Sequence, residues 1–158
     1  MRLLKPESWC AMIQGQKWDS GASRMKIDGS CHCGELRYWA QVDPAQAMVC
    51  HCTDCQILSG SAFRSLVLSL PDAFEMTAGT PRIYEKTAAS GNAREQAFCG
   101  NCGSPLYSVA TGDAPRIYAV RLGTVTQRDQ LAPNRAIWCG SAQSWIQTLA
   151  DLPESDEQ

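Results

Sequence analysis

The polar and apolar positions of this chain alternate in short runs, which is the pattern of β-strands that bury one face. The runs are rich in valine, isoleucine and aromatic residues and are bounded by turn-forming residues. Predicted strands cover residues 35–42, 46–50, 62–70, 81–86, 93–98, 104–109, 115–121 and 135–139. Only residues 54–59 and 141–150 suggest short helices. The pattern therefore predicts a mostly β fold with little helix.

The alternation begins abruptly at Met25, which divides the chain into three parts. Residues 1–24 show no periodicity and are interpreted as an N-terminal extension, for which disorder and a start codon placed too early are the alternatives. Residues 25–150 are long enough to close one hydrophobic core and are predicted to form a single domain. Residues 151–158 are acidic and lack aromatic side chains, so they are interpreted as a solvated tail.

Charge and hydropathy exclude two classes of partner. The net charge of −2 gives no electrostatic reason to expect nucleic acid. No apolar run approaches the roughly 18 residues of a membrane span, and Lys5, Pro6 and Glu7 interrupt the segment where a signal peptide would lie. The expected location is the cytoplasm, and the oligomeric state is not fixed by the sequence.

The chain contains nine cysteines, an odd number, and most of them are clustered. Clustering in a chain without an export signal favours metal ligation over disulfide bonds. Three clusters are present: Cys31 with Cys33, Cys50 with Cys52 and Cys55, and Cys99 with Cys102. Zinc suits such sites, because it is redox-inert and binds thiolates tetrahedrally. Cys10 and Cys139 stand alone, and no role is assigned to them.

Two ligand arrangements are compatible with the spacing. In the first, Cys31, Cys33, Cys99 and Cys102 close one site, which leaves Cys50, Cys52 and Cys55 as a trio. In the second, Cys52 and Cys55 join Cys99 and Cys102, which leaves Cys31, Cys33 and Cys50. Both arrangements predict one closed site and one site with an open position, the pattern of catalytic zinc. Structural staples alone are the alternative, against which the third cysteine of the middle cluster argues.

Four segments together resemble a known family. They read GSCHCGELRY, CHCTDCQILSGSAF, FCGNCGSPLY and IWCGSAQSW, in that order between Lys26 and Ile146. They are similar to the glutathione-dependent formaldehyde-activating enzymes and centromere protein V. The resemblance implies small antiparallel sheets in a β-tent-like arrangement built around two zinc ions per chain. It also implies that Cys31, Cys33, Cys99 and Cys102 are structural ligands and that Cys50, Cys52 and Cys55 are catalytic ligands.

The function implied by the resemblance is that of a zinc-dependent carbon–sulfur lyase. Such an enzyme, similar to S-(hydroxymethyl)glutathione synthase, joins a glutathione-like thiol to formaldehyde or another small aldehyde. A non-catalytic, zinc-stabilised binding module is the alternative. The chain departs from the family pattern at Gln96 and Ala97, where basic residues are usual, and at Ala136, Ala142 and Ser144. These departures concern the substrate pocket and not the metal ligands.

The segment SGSAFRS directly follows the trio and suggests a substrate-binding role. We predict that Ser59, Gly60 and Ser61, together with Arg64, hold the carboxylates of a glutathione-like thiol. The alternative is a simple turn into the next strand, with Arg64 as a solvated side chain.

Overall fold

The computed structural model describes residues 23–87 and 91–156, so Cys10 and nearly all of the predicted N-terminal extension lie outside the described residues. Strands dominate the described part. They are β1 Met25–Ser30, β2 Arg37–Cys50, β3 Arg64–Ala78, β4 Arg82–Thr87, β5 Ala93–Phe98, β6 Pro105–Ala110, β7 Ala119–Arg121 and β8 Arg135–Ile137. The prediction of a mostly β fold is confirmed.

Helical structure in the described residues is short. One α-helix, α1, spans Thr53–Ser59. The 3-10 helices are Leu122–Thr124, Arg128–Gln130, Cys139–Ser141 and Ser144–Asp151. None of the helices in this part of the chain is long and apolar enough to cross a membrane.

The strands form one hydrogen-bonded path in the order β1-β2-β3-β7-β6-β5-β4. Each neighbouring pair on this path is antiparallel. β8 lies off the path and pairs with β2 in parallel, with Ile137 opposite Cys50. The end of β2 is therefore held on two sides, by β3 and by β8.

Two predicted strand boundaries are interior irregularities in the structure. The predicted strands 35–42 and 46–50 are separated at Pro44, but β2 runs through this residue. The predicted strand 62–70 ends before Pro71, but β3 continues through it. The β2–β3 register shifts between Val42 and Ala47, where the ladder is interrupted. Proline has no N–H to donate, so it is tolerated at such an interruption without ending the strand.

Alternation of side chains divides the buried residues into two clusters. Consecutive residues in three neighbouring strands fall on opposite sides. The main core takes Ala47, Val67 and Val120, and the second cluster takes Met48, Leu66 and Ala119. The main core also contains Cys31 and Cys99, whereas the second contains Cys50. The sheet thus separates the cysteines into two environments.

The sequence favours Trp138 and Trp145 as core residues and not as a surface that binds a ligand. This prediction is wrong, because both side chains are exposed. Trp138 is 58% exposed and Trp145 is 51% exposed. Both belong to the irregular segment after β8, where the alternation that buries side chains against a sheet no longer applies. Trp138 also has a φ of 59°, an unfavourable value for a bulky side chain.

Position 29 in β1 requires glycine, because neighbouring atoms leave no room for a side chain. A Cβ atom at this position would overlap the hydroxyl group of Tyr38 and the carbonyl oxygen of Thr124. Tyr38 is 1% exposed and its hydroxyl oxygen lies 2.7 Å from Thr124 Oγ1. The ring of Tyr38 therefore occupies the space that a side chain at position 29 would need.

We predict that Gly29→Ala lowers the free energy of unfolding by about 1–3 kcal/mol, the usual effect of overpacking a core. Denaturant titration of the metal-loaded protein measures the change. Gly123→Ala is the matched control, because an added Cβ there meets no atom within 4 Å. Equal effects of the two substitutions would contradict this account of the β1–β2 contact.

Candidate active site

Four cysteines from two distant turns come together at one place. Cys31 and Cys33 lie in the turn between β1 and β2, and Cys99 and Cys102 lie in the turn between β5 and β6. Their sulfur atoms all lie within 4.8 Å of one another. The Sγ atoms of Cys31 and Cys33 are 3.5 Å apart, and those of Cys33 and Cys99 are 3.7 Å apart. We call these residues the four-cysteine group.

Hydrogen-bond donors point at the sulfurs of this group. The amide of Leu36 donates to Cys31 Sγ at 3.3 Å. The hydroxyl of Ser104 lies 3.2 Å from Cys102 Sγ and also accepts the amide of His32 at 3.0 Å. The bond from Ser104 is the main reason that the pKa of Cys102 falls to about 5. Donors that favour a thiolate prepare these sulfurs for metal binding.

A second group, the three-cysteine group, forms where β2 leads into α1. Cys50 is the last residue of β2, Cys52 is the N-cap of α1, and Cys55 lies in the first turn. The three sulfur atoms lie within 4.8 Å of one another. The amide of Cys55 donates to Cys52 Sγ at 3.3 Å. A hydrogen bond from Cys50 lowers the pKa of the Cys55 thiol to about 6.

This grouping is the first of the two arrangements compatible with the spacing. Among the described residues, Cys52 and Cys55 do not share a group with Cys99 and Cys102. Neither group includes a histidine or a carboxylate. Sets of thiol donors at these separations fit a thiophilic divalent ion such as zinc. Both groups can therefore hold a metal ion, and the three-cysteine group would supply one ligand fewer.

The loop that carries the three-cysteine group is fastened to the segment after β8. The carbonyl of His51 accepts the side-chain amide of Gln56 at 2.7 Å and the hydroxyl of Ser141 at 3.0 Å. The amide of His51 donates to the carbonyl of Ile137 at 3.0 Å. The His51 ring packs against Phe63, and burial lowers its pKa. His51 thus holds the loop in place through its backbone and remains a neutral, buried ring.

Two buried arginines lie beside the three-cysteine group. Arg64 and Arg121 are each 5% exposed. Both donate to Gln96 Oε1, Arg121 Nη2 at 2.9 Å and Arg64 Nη1 at 3.4 Å. Burial and the neighbouring Arg64 lower the pKa of Arg121 to about 9, which leaves it charged at neutral pH. Sequence reasoning missed Arg121, although an arginine within the apolar run Ala119–Leu122 was an available signal.

The residues predicted to bind substrate occupy different situations. The hydroxyl of Ser59 donates to the carbonyl of Cys55 at 2.6 Å, and the amide of Ser61 donates to the carbonyl of Gln56 at 3.3 Å. Gly60 ends α1 with a left-handed φ of 63°. These groups close the helix. Arg64, by contrast, is buried against the cysteines and is not a solvated side chain.

Two adjoining cavities open near α1 and share Leu58 and Tyr84. The larger, about 470 Å³, is lined by Asp54 and Lys86, which form an ion pair with each other. The smaller, about 360 Å³, is lined by Arg64 and Gln96. We connect the smaller cavity with the three-cysteine group, because Arg64 lines this cavity and also interacts with the three cysteines.

Comparison with known proteins identifies the family. A sequence model of the glutathione-dependent formaldehyde-activating enzymes matches residues 26–141. The chain belongs to this family. The match covers both cysteine groups, and it confirms the resemblance found in the sequence.

Two individual proteins are similar to this chain. One, from Schizosaccharomyces pombe, is described as an uncharacterized lyase and is 30% identical over 90 residues. That match covers 54% of this chain and 59% of the relative, so the chain spans less than two thirds of the relative's length. The other is a crystal structure of a Rhodobacter sphaeroides protein, with a TM-score of 0.51 and 18% identity over 63% of this chain and 88% of the other. At this identity the likeness concerns the fold.

We predict that Cys99→Ser lowers the free energy of unfolding by about 3 kcal/mol. A metal bound by the four cysteines would connect two distant turns, so its binding free energy would stabilise the folded state. Cys99 is also 1% exposed within the main core. Cys52→Ser, at the partly buried N-cap of α1, should change stability by less than about 1 kcal/mol. Thermal unfolding of both metal-loaded variants makes the comparison, and the opposite order would contradict the division of roles.

Proposed function

We propose that this protein is a zinc-dependent carbon–sulfur lyase that joins a glutathione-like thiol to formaldehyde or another small aldehyde. The observation that carries the proposal is the three-cysteine group, which offers three thiol ligands and lies beside two buried cations, one of which, Arg64, lines a cavity. Family membership and a relative described as a lyase agree with it. The cytoplasmic location remains a prediction.

The two groups take different roles in this proposal. Cys31, Cys33, Cys99 and Cys102 hold a structural zinc that ties the β1–β2 turn to the β5–β6 turn. Cys50, Cys52 and Cys55 hold the second zinc and leave a position for the substrate sulfur. Zinc bound there would keep a thiol, whose usual pKa is about 8.5, in its thiolate form at neutral pH.

The reaction conserves all atoms and needs no redox partner. The thiol loses its proton, and its sulfur forms a bond to the carbonyl carbon of the aldehyde. The carbonyl oxygen gains a proton, which gives an S-hydroxymethyl product. The chain's own contribution is to hold the sulfur beside Arg64 and to shelter the aldehyde in the adjoining cavity, which Phe98 and Leu58 also line.

The four predicted substrate contacts are supported unequally. Arg64 lines the cavity and is buried next to the three cysteines, so we retain it as a group that acts on the substrate. Ser59, Gly60 and Ser61 adjoin α1, where their hydrogen bonds close the helix. Their contact with the substrate remains a prediction, and the hydrogen bonds that the Ser59 hydroxyl and the Ser61 amide already make at the end of α1 give it no support.

We predict that glutathione binds through its sulfur at the three-cysteine group. Titration of the cobalt-substituted protein with glutathione should shift the ligand-field absorption bands, because a new sulfur ligand changes the field at the metal. S-methylglutathione, which has no thiol to deprotonate, is the matched control and should shift the bands much less.

Failure of glutathione to change the spectrum at millimolar concentration would exclude it as the ligand. Cysteine and an uncharged thiol tested in the same way would then decide between another thiol substrate and the non-catalytic binding module. A protein that accepts none of these thiols is the binding module.

We also predict two zinc ions of unequal tenacity. A closed set of four thiolates should hold its ion more tightly than a set of three with an exchangeable position. Mild chelation should remove one equivalent while circular dichroism shows the strand content retained. Loss of both equivalents in a single step together with unfolding would contradict separate roles for the two groups.

A further inference from the structure

Strand register places both arginines on the face of the sheet that carries the three-cysteine group. Arg64 of β3 lies directly opposite Cys50 of β2. Arg121 of β7 lies opposite Leu66, two residues along from Arg64. Directly opposed residues share a face, and so do residues two apart in a strand. Cys50, Arg64 and Arg121 therefore point to the same side.

Neither arginine has a carboxylate partner among the described residues. The ion pairs in this part of the chain are Lys86 with Asp54 and Arg116 with Glu95. The shared acceptor of Arg64 and Arg121 is Gln96 Oε1, which is neutral. The Nε atoms of both arginines are buried and lack a hydrogen-bond partner in the same part of the chain. Two buried cations joined by a neutral amide need anions from another source.

The cysteines are the anions within reach. Arg64 interacts electrostatically with Cys50, Cys52 and Cys55, and Arg121 does so with Cys50 and Cys55. A divalent ion held by three thiolates carries a net charge of −1, which balances only one guanidinium. A fourth thiolate brings the net charge to −2, and the two buried guanidinium groups balance it. Arg94 also interacts with Arg121, but it is only partly buried, so solvent screens its charge.

We propose that Arg64 and Arg121, bridged by Gln96, are positioning residues that make the three-cysteine centre electrically balanced only when an external thiolate is bound. The pair thereby favours a thiolate over a neutral ligand at the open position. This inference rests on the proposed function, and it assigns the arginines to the sulfur of the substrate and not to its carboxylates. Any thiolate, with or without carboxylate groups, should benefit equally.

Gln96→Glu is the most direct test, because it places a carboxylate between the two guanidinium groups and keeps both arginines. The added negative charge should also pair with the buried cations, so the fold should tolerate it. Binding of 2-mercaptoethanol and of glutathione to the cobalt-substituted protein is measured by absorption. Both dissociation constants should rise by about tenfold or more, because the substitution adds one negative charge a few ångströms from the thiolate in a partly buried site.

Imidazole is a neutral ligand, so its binding distinguishes the proposed charge effect from general damage to the site. Its affinity for the cobalt-substituted Gln96→Glu protein should stay within about twofold of the wild type, whereas general damage to the site would weaken all three ligands. Arg121→Met should show the same selective loss of thiolate binding, and Arg121→Lys should restore most of it. Arg116→Gln is the control, because Arg116 pairs with Glu95, which lies next to Gln96 on the opposite face of β5.

The outcomes separate the hypotheses. Weakened binding of both thiols with imidazole unchanged supports the proposal. Weakened binding of glutathione alone overturns it in favour of carboxylate recognition, and unchanged binding of both thiols overturns it while leaving the proposed function in place. A wild-type protein that binds neither thiol overturns the proposed function and this inference together.

Discussion

The alternation of side chains across β2, β3 and β7 is the constraint on which the rest of the structure depends. It sends Val67 to the main core and Leu66 to the second cluster, and the same division continues in the neighbouring strands. Because the period is two, a slip of one residue in the β2–β3 register would exchange the faces. Arg64 would then leave the face of Cys50, and the cations would enter the apolar core.

The sequence supports the identity of the candidate ligands better than their partnership. Closely spaced cysteines can bind one ion through local turns, so the clusters are visible without a fold. Whether Cys99 and Cys102 join Cys31 or Cys52 depends on how distant strands pair, and spacing has no information about that. Arg121 shows the same limit, because it lies 57 positions after Arg64, and only the strand order β3-β7 brings the two side chains together.

The fold departs from the sequence-based prediction at residues whose role is predicted from their residue type alone. Pro44 was interpreted as a boundary, yet the missing N–H is harmless where the β2–β3 ladder is already interrupted. Trp138 is predicted to be a core residue, yet it lies beyond the last strand and is exposed. The type of a residue limits the conformations and environments it can adopt, whereas its neighbours in the fold determine which of them it has.

β5 links the two cysteine groups physically. It carries Gln96, which bridges the arginines beside the three-cysteine group, and Cys99 of the four-cysteine group follows three residues later. The amide of Cys99 donates to the carbonyl of Ser104 at 2.9 Å and thereby fixes the turn after β5. A metal in the four-cysteine group would hold the end of the strand whose middle orients the charge around the other group. In the proposed function, the metal of the four-cysteine group would thus help to position Gln96 and, through it, the two arginines beside the other group.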